Sequence, residues 1–191
     1  GYSFANGLGG SMAGNWAYYL LSPFNLLTLL FPASQIPLAL YVLVWLKISC
    51  AAAAMSFMLR KVEPTLERTI NLALAISYAM MGYAIVYQMN LMWLDGVILL
   101  PLLVWALRRL LDQRSYVPYT LLLALAVISN YYIAYMLAAF LALYCLYMVI
   151  MSLADLRNSG KQLVRFACGS LLGALLSIVV VVPTLLALLA A

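Results

Sequence analysis

The chain has 191 residues, 68% of them hydrophobic and 8% charged, with a formal net charge of +5 and no histidine, and its mean hydropathy is +1.08. Soluble domains run at roughly 45–50% apolar and about 25% charged, so a soluble globular protein is excluded. The missing histidine excludes Ser-His-Asp chemistry, His-ligated zinc and His proton relays within this sequence.

In chain order, residues 1–35 form a first unit. It opens with a stretch rich in glycine and small polar residues (GYSFANGLGGSMAG), followed by an apolar, aromatic run from Asn15 to Phe31 that Pro23 interrupts. The first thirty residues carry no Lys or Arg, so they are not a signal peptide. The run is too broken to span, and it predicts short helices at the membrane interface with Trp16, Tyr18 and Tyr19 at headgroup depth. Gly7, Gly9 and Gly10 lack the strand and the acidic ribose ligand of a dinucleotide site. The start on Gly1 and the apolar run ending at Ala191 read as a piece of a longer polypeptide.

Residues 36–191 form the second unit, a transmembrane helical bundle. About 20 apolar residues cross a bilayer core, and on that measure spans are predicted at Ile36–Leu59, Ile70–Tyr87, Trp93–Leu107, Tyr116–Ser129, Tyr131–Leu153 and Leu163 to about Pro183. The fourth is short. The expected fold is an all-α polytopic bundle of about six spans plus interfacial helices.

The charges test this division independently. Arg60, Lys61 and Arg68, then Arg108, Arg109 and Arg114, then Arg157, Lys161 and Arg165 occupy alternate loops, and Glu63, Glu67, Asp112 and Asp155 lie beside them. By the positive-inside rule these loops are cytoplasmic, which places residues 1–35, the loop Gln88–Asp95, the turn Ser129–Asn130 and the end beyond Pro183 outside. Topology accounts for the positive charge, and no nucleic-acid partner is expected. Cys50, Cys145 and Cys168 sit in apolar stretches without metal-binding spacing.

Two charges escape the cytoplasmic loops, Lys47 and Asp95. Lys47 lies eleven residues into the first span, about 16 Å deep, where its ammonium needs a partner or a wet cavity. Its partner is either a structural one, such as a backbone carbonyl or another helix, or an anionic headgroup or phosphate. Asp95 is the only acid on the outer side, where it serves either as a helix-start residue favoured by the macrodipole or as a base. Asn90, Trp93, Asn130 and Tyr131 share its side and suit sugar hydroxyls as readily as an aromatic belt.

Five blocks carry a resemblance: Tyr2-Ser3-Phe4 with Gly7-Leu8-Gly9-Gly10, Tyr18 through Asn25 (YYLLSPFN), Asn90 through Asp95 (NLMWLD), Leu100-Pro101-Leu102, and Ser129 through Met136 (SNYYIAYM). In order and spacing the sequence resembles the YfhO-like bacterial membrane proteins linked to lipoteichoic-acid glycosylation. The resemblance implies a GT-C-like fold in the bacterial plasma membrane. It also implies transfer of a sugar from a polyprenyl-phosphate donor to an envelope polymer on the outer face.

In such a fold an acid in the first outer loop serves as base or metal-assisted activator. Residues 1–35 contain no Asp or Glu, so the principal acid, with any divalent metal, is expected upstream of Gly1. Asp95 is then a supporting carboxylate or the base itself. Lys47 would stabilise the leaving phosphate, while Asn90, Trp93, Asn130 and Tyr131 bind sugar or acceptor. A transporter or flippase, and a noncatalytic assembly subunit, are the competing classes.

Overall fold

A computed structural model describes residues 2–3, 10–11, 21–112, 115–151 and 156–189. Gly7, Gly9, Trp16, Tyr18 and Tyr19, singled out above, lie outside the described residues. Near the start, Tyr2–Ser3 and Gly10–Ser11 pair as a two-residue antiparallel ladder. The described part of the interfacial segment is a 3-10 helix, Pro23–Leu30, followed by a short 3-10 turn, Ala33–Gln35.

Among the described residues eight α-helices follow: α1 Ile36–Val62, α2 Arg68–Ala79, α3 Gly82–Val86, α4 Leu91–Leu111, α5 Val117–Ser129, α6 Tyr131–Met151, α7 Leu156–Leu176 and α8 Ile178–Leu189. Among the described residues every segment expected to span is helical over most of its length. By length and composition Ala33–Val62, Leu91–Leu111 and Tyr131–Met151 are long and apolar enough to cross a membrane, and Val117–Ser129 is apolar but shorter. The second expected span is divided, because Met81 takes an extended ψ of 152° and ends the run between α2 and α3. The sixth is divided at Ser177, whose hydroxyl bonds back to the carbonyls of Gly173 and Ala174. Such back-bonding bends helices. The protein is an all-α multi-pass membrane bundle.

Local sequence explains the helix ends. Pro37 sits in the first turn of α1, where a missing N–H costs no hydrogen bond. Arg60 and Lys61 close that helix, and Arg108 and Arg109 close α4, where cations meet the negative end of the helix dipole. Between α5 and α6 the chain breaks at Asn130, which is extended (φ −163°, ψ 106°). Its Oδ1 then accepts the Ile133 backbone N–H at 3.0 Å and caps the start of α6.

Helix α4 is the hub. It packs on α1 on one side and on α5, α6 and α7 on the other, and nearly every residue from Leu94 to Leu111 is buried or half-buried. The buried residues form two clusters. One joins Ala51 and Ala54 of α1, Ala79 of α2 and Val97 and Ile98 of α4. The larger joins Leu99, Leu103 and Leu107 of α4 to Leu123 of α5 and Leu137 and Leu141 of α6. Outward faces stay apolar, as at Trp45 (72% exposed) and Leu143 (68% exposed). That pattern suits lipid contact, since hydrocarbon covers such a face without cost.

Candidate functional site

The buried side chains of α1 fall at Ala39, Leu43, Lys47, Ala51 and Ala54. This is one stripe at helical spacing, and it turns Lys47 inward toward α4. Lys47 is fully buried. Its Nζ forms an ion pair with Asp95 Oδ1 at 2.7 Å, donates to the Leu91 carbonyl at 2.8 Å and donates to Ser22 Oγ at 3.2 Å. An ammonium has three N–H donors, so all are engaged. The ring of Phe24 covers another side, 5.2 Å from Nζ, a distance at which the ring's negative face attracts a cation.

The sequence therefore placed the two stray charges apart, one near mid-membrane and one in an outer loop, whereas the fold joins them. Two corrections follow. Asp95 lies a full turn inside α4, whose N-cap is Asn90, so the helix-start reading does not hold. Lys47, saturated by protein acceptors, has no donor left for an external phosphate in this state. A burial of this kind is tolerated because both charges are paired, and removing one partner of such a pair typically costs about 3–5 kcal/mol.

Asp95 is 4% exposed, and its second oxygen, Oδ2, accepts no hydrogen bond among the described residues. An unbonded buried carboxylate oxygen is costly. The carboxylate lines a narrow crevice between α4 and the α5–α6 junction, with Met92, Gly96, Ser129, Asn130 and Ile133 around it. Asp95 and Asn130, distant in sequence, thus meet at one crevice. It is closed in this state, because Ile133 Cγ2 packs against the bare α-carbon of Gly96.

The remaining expected residues are distributed otherwise. Trp93 packs with Tyr83 and Tyr87, ring centroids 6.4 and 5.2 Å away, as an aromatic cluster beside α3. Asn90 caps α4 through its backbone, accepting the Trp93 N–H at 2.8 Å. Tyr131 is half-buried at the first position of α6. None of these three lines the Asp95 crevice. Ser22, Phe24 and Ser129 belong to the site; the sequence marked them only within the resembling blocks and the outer turn, with no role assigned. The signal that finds the first two is Pro23, which starts the 3-10 turn that sets them over Lys47.

Beside the ion pair, Pro37, Leu40, Tyr41 and Val44 of α1 and Met89 and Leu91 before and at the start of α4 line an apolar groove of about 150 Å³. No three potential metal ligands cluster among the described residues. Asp95 already faces an ammonium, so the donor set here does not make a divalent-metal site by itself.

Neither the curated proteins nor the solved structures include a match to the chain. Over residues 1–191 it matches the family described as bacterial membrane protein YfhO, and the chain belongs to that family of bacterial membrane proteins.

Proposed function

We propose that this protein is a glycosyltransferase of the bacterial plasma membrane. It moves a sugar from a polyprenyl-phosphate carrier to an envelope polymer such as lipoteichoic acid on the outer face, where residues 1–35 lie. The observation that carries the reading is the Asp95 carboxylate. It is held by Lys47 on one oxygen, leaves the other without a bond among the described residues, and faces a crevice shared with Asn130. Family membership supports it, as does the apolar groove beside Leu91, which is shaped for a hydrocarbon chain.

In this reading the acceptor hydroxyl attacks the anomeric carbon while the bond from that carbon to the phosphate oxygen breaks, and polyprenyl phosphate leaves with the electron pair. The hydroxyl proton passes to a carboxylate. Asp95 Oδ2 takes it, or orients the hydroxyl for an acid elsewhere in the protein, and Lys47 fixes the carboxylate's position. Asn130 in the crevice, with Tyr131, Trp93 and Asn90 nearby in sequence, orients sugar or acceptor once the crevice widens. The pairing of Lys47 makes it a positioning residue.

Asp95→Asn in the full-length protein keeps the shape and removes the base. The expected outcome is a fall of about 100-fold or more in sugar incorporation, the range of a lost general base, with normal protein abundance. Wild-type incorporation in this variant would remove Asp95 from the reaction.

Two features favour a second reading, movement of a lipid-linked substrate across the bilayer: the helix breaks at Met80–Met81 and at Ser177. Interrupted helices line the sites of many transporters. Proteoliposomes separate the two readings, since a transferase forms glycosylated product without changing the leaflet of the unreacted donor.

A further inference from the structure

The opposite end of the bundle, which the basic loops assign to the cytoplasm, holds a second polar cavity. Lys61 at the end of α1, Pro64 after it, and Trp105, Arg108, Arg109 and Asp112 at the end of α4 line a space of about 340 Å³. Three cations face one carboxylate there, and among the described residues no ion pair joins any of them to Asp112. Helix dipoles and topology account for basic residues at these helix ends. They do not account for Arg109, whose Nε is buried and has no acceptor among the described residues.

The three cations are held in place by contacts that leave N–H groups available. Arg108 donates through Nε to the Tyr144 hydroxyl at 2.6 Å. The Arg109 guanidinium lies 5.2 Å from the Trp105 ring centroid and Lys61 Nζ lies 5.7 Å from that of Phe57. Phe57 and Trp105 in turn meet edge to face at 5.0 Å, giving the membrane side of the cavity an aromatic wall. Fixed planar guanidinium groups suit phosphate oxygens. An aromatic wall beneath them suits an anion whose other end is hydrocarbon.

We propose that this cavity binds a phosphate group, carried by the headgroup of an anionic membrane lipid. Basic pockets between helices at a cytoplasmic surface recognise such headgroups, each cation strengthening binding by about fivefold. This site is independent of the outer-face chemistry.

The test uses the purified full-length protein in nanodiscs with phosphatidylglycerol or phosphatidylcholine, and bound lipid is counted by native mass spectrometry. Wild type is expected to retain phosphatidylglycerol preferentially. Arg109→Gln should weaken retention about fivefold and Arg109→Gln with Lys61→Gln about 25-fold, with unchanged thermal transitions. Arg60→Gln removes the same charge from an exposed position outside the cavity and should change nothing. Equal retention of the two lipids, or an equal loss in Arg60→Gln, overturns the site. Inorganic phosphate displacing the lipid at equal concentration overturns the assignment to a headgroup.

Discussion

The two sides of α4 are held by different means. Toward α1 and α2 polar contacts add to the small apolar cluster: the Lys47–Asp95 pair and Tyr78 donating to the Val97 carbonyl at 2.7 Å, while α1 and α2 are joined to each other by Ser56 donating to Asn71 Oδ1 at 2.5 Å and Asn71 Nδ2 donating to the Ser56 carbonyl at 3.2 Å. Toward α5, α6 and α7 the contacts are mainly steric, with Arg108 donating to the Tyr144 hydroxyl near the basic end. Gly96 of α4 admits Ile133 and Gly169 of α7 admits Leu110 of α4 together with Tyr119, while between α7 and α5 Gly173 admits Leu123.

Lipid tails are as apolar as leucine, so burial of grease alone does not hold membrane helices together; close packing and interhelical hydrogen bonds do. One side of this bundle relies mainly on the second device and the other on the first. The candidate site lies at the seam, with Asp95 paired to Lys47 on the polar side and lining the crevice on the packed side, where its neighbour Gly96 meets Ile133.

The Tyr78 contact has a cause inside α4. Pro101 has no N–H, so the carbonyl four residues earlier, that of Val97, loses its helical partner. Tyr78 from the neighbouring helix supplies the missing donor. A proline that would weaken α4 alone thus ties α4 to α2.

Three substitutions would break or sharpen the contrast. The largest effect is expected for Lys47→Met, which strands a buried carboxylate and should destabilise the protein by about 3–5 kcal/mol in mixed-micelle unfolding. Adding Asp95→Leu should recover most of that stability; failure to recover would mean the pair is not the latch. Next, Gly96→Ala should cost about 1–3 kcal/mol by overpacking, and Ile133→Ala in the same chain should relieve it if the clash is the cause. Smallest is Tyr78→Phe, expected to cost about 0.5–1.5 kcal/mol. In a Pro101→Ala background, where residue 101 again donates to Val97, the same change should cost clearly less, and additive costs would refute the proposed compensation.

Helix positions were legible in the sequence because apolar length and alternating basic loops are one-dimensional signals. The breaks at Met80–Met81 and Ser177 were not, since neither contains a proline. Lys47 and Asp95 were legible as charges out of place, yet their pairing was not. Depth counted along each helix ignores that α4 starts lower in the bundle than α1, and that a lysine stem reaches back along its own helix. The meeting of Asp95 with Asn130 depends on how α4 crosses α6, which spacing within either helix does not encode. Trp93 shows the converse, because adjacency to Asp95 in sequence puts it on a different helical face.

The Lys47–Asp95 pair also bears on how the protein is made. Ribosomes deliver α1 before α4, so Lys47 reaches the translocon while its counter-charge is still unsynthesised. A lone lysine at the centre of a span raises the cost of insertion by roughly 2.5–3.5 kcal/mol, and the high mean hydropathy of that span, 1.9 with Lys47 included, offsets it. Until Asp95 arrives, α1 is a nascent segment with an unmet charge, open to capture by water, lipid headgroups or insertion factors. Chain order thus makes biogenesis, and not the finished fold alone, sensitive to the composition of α1.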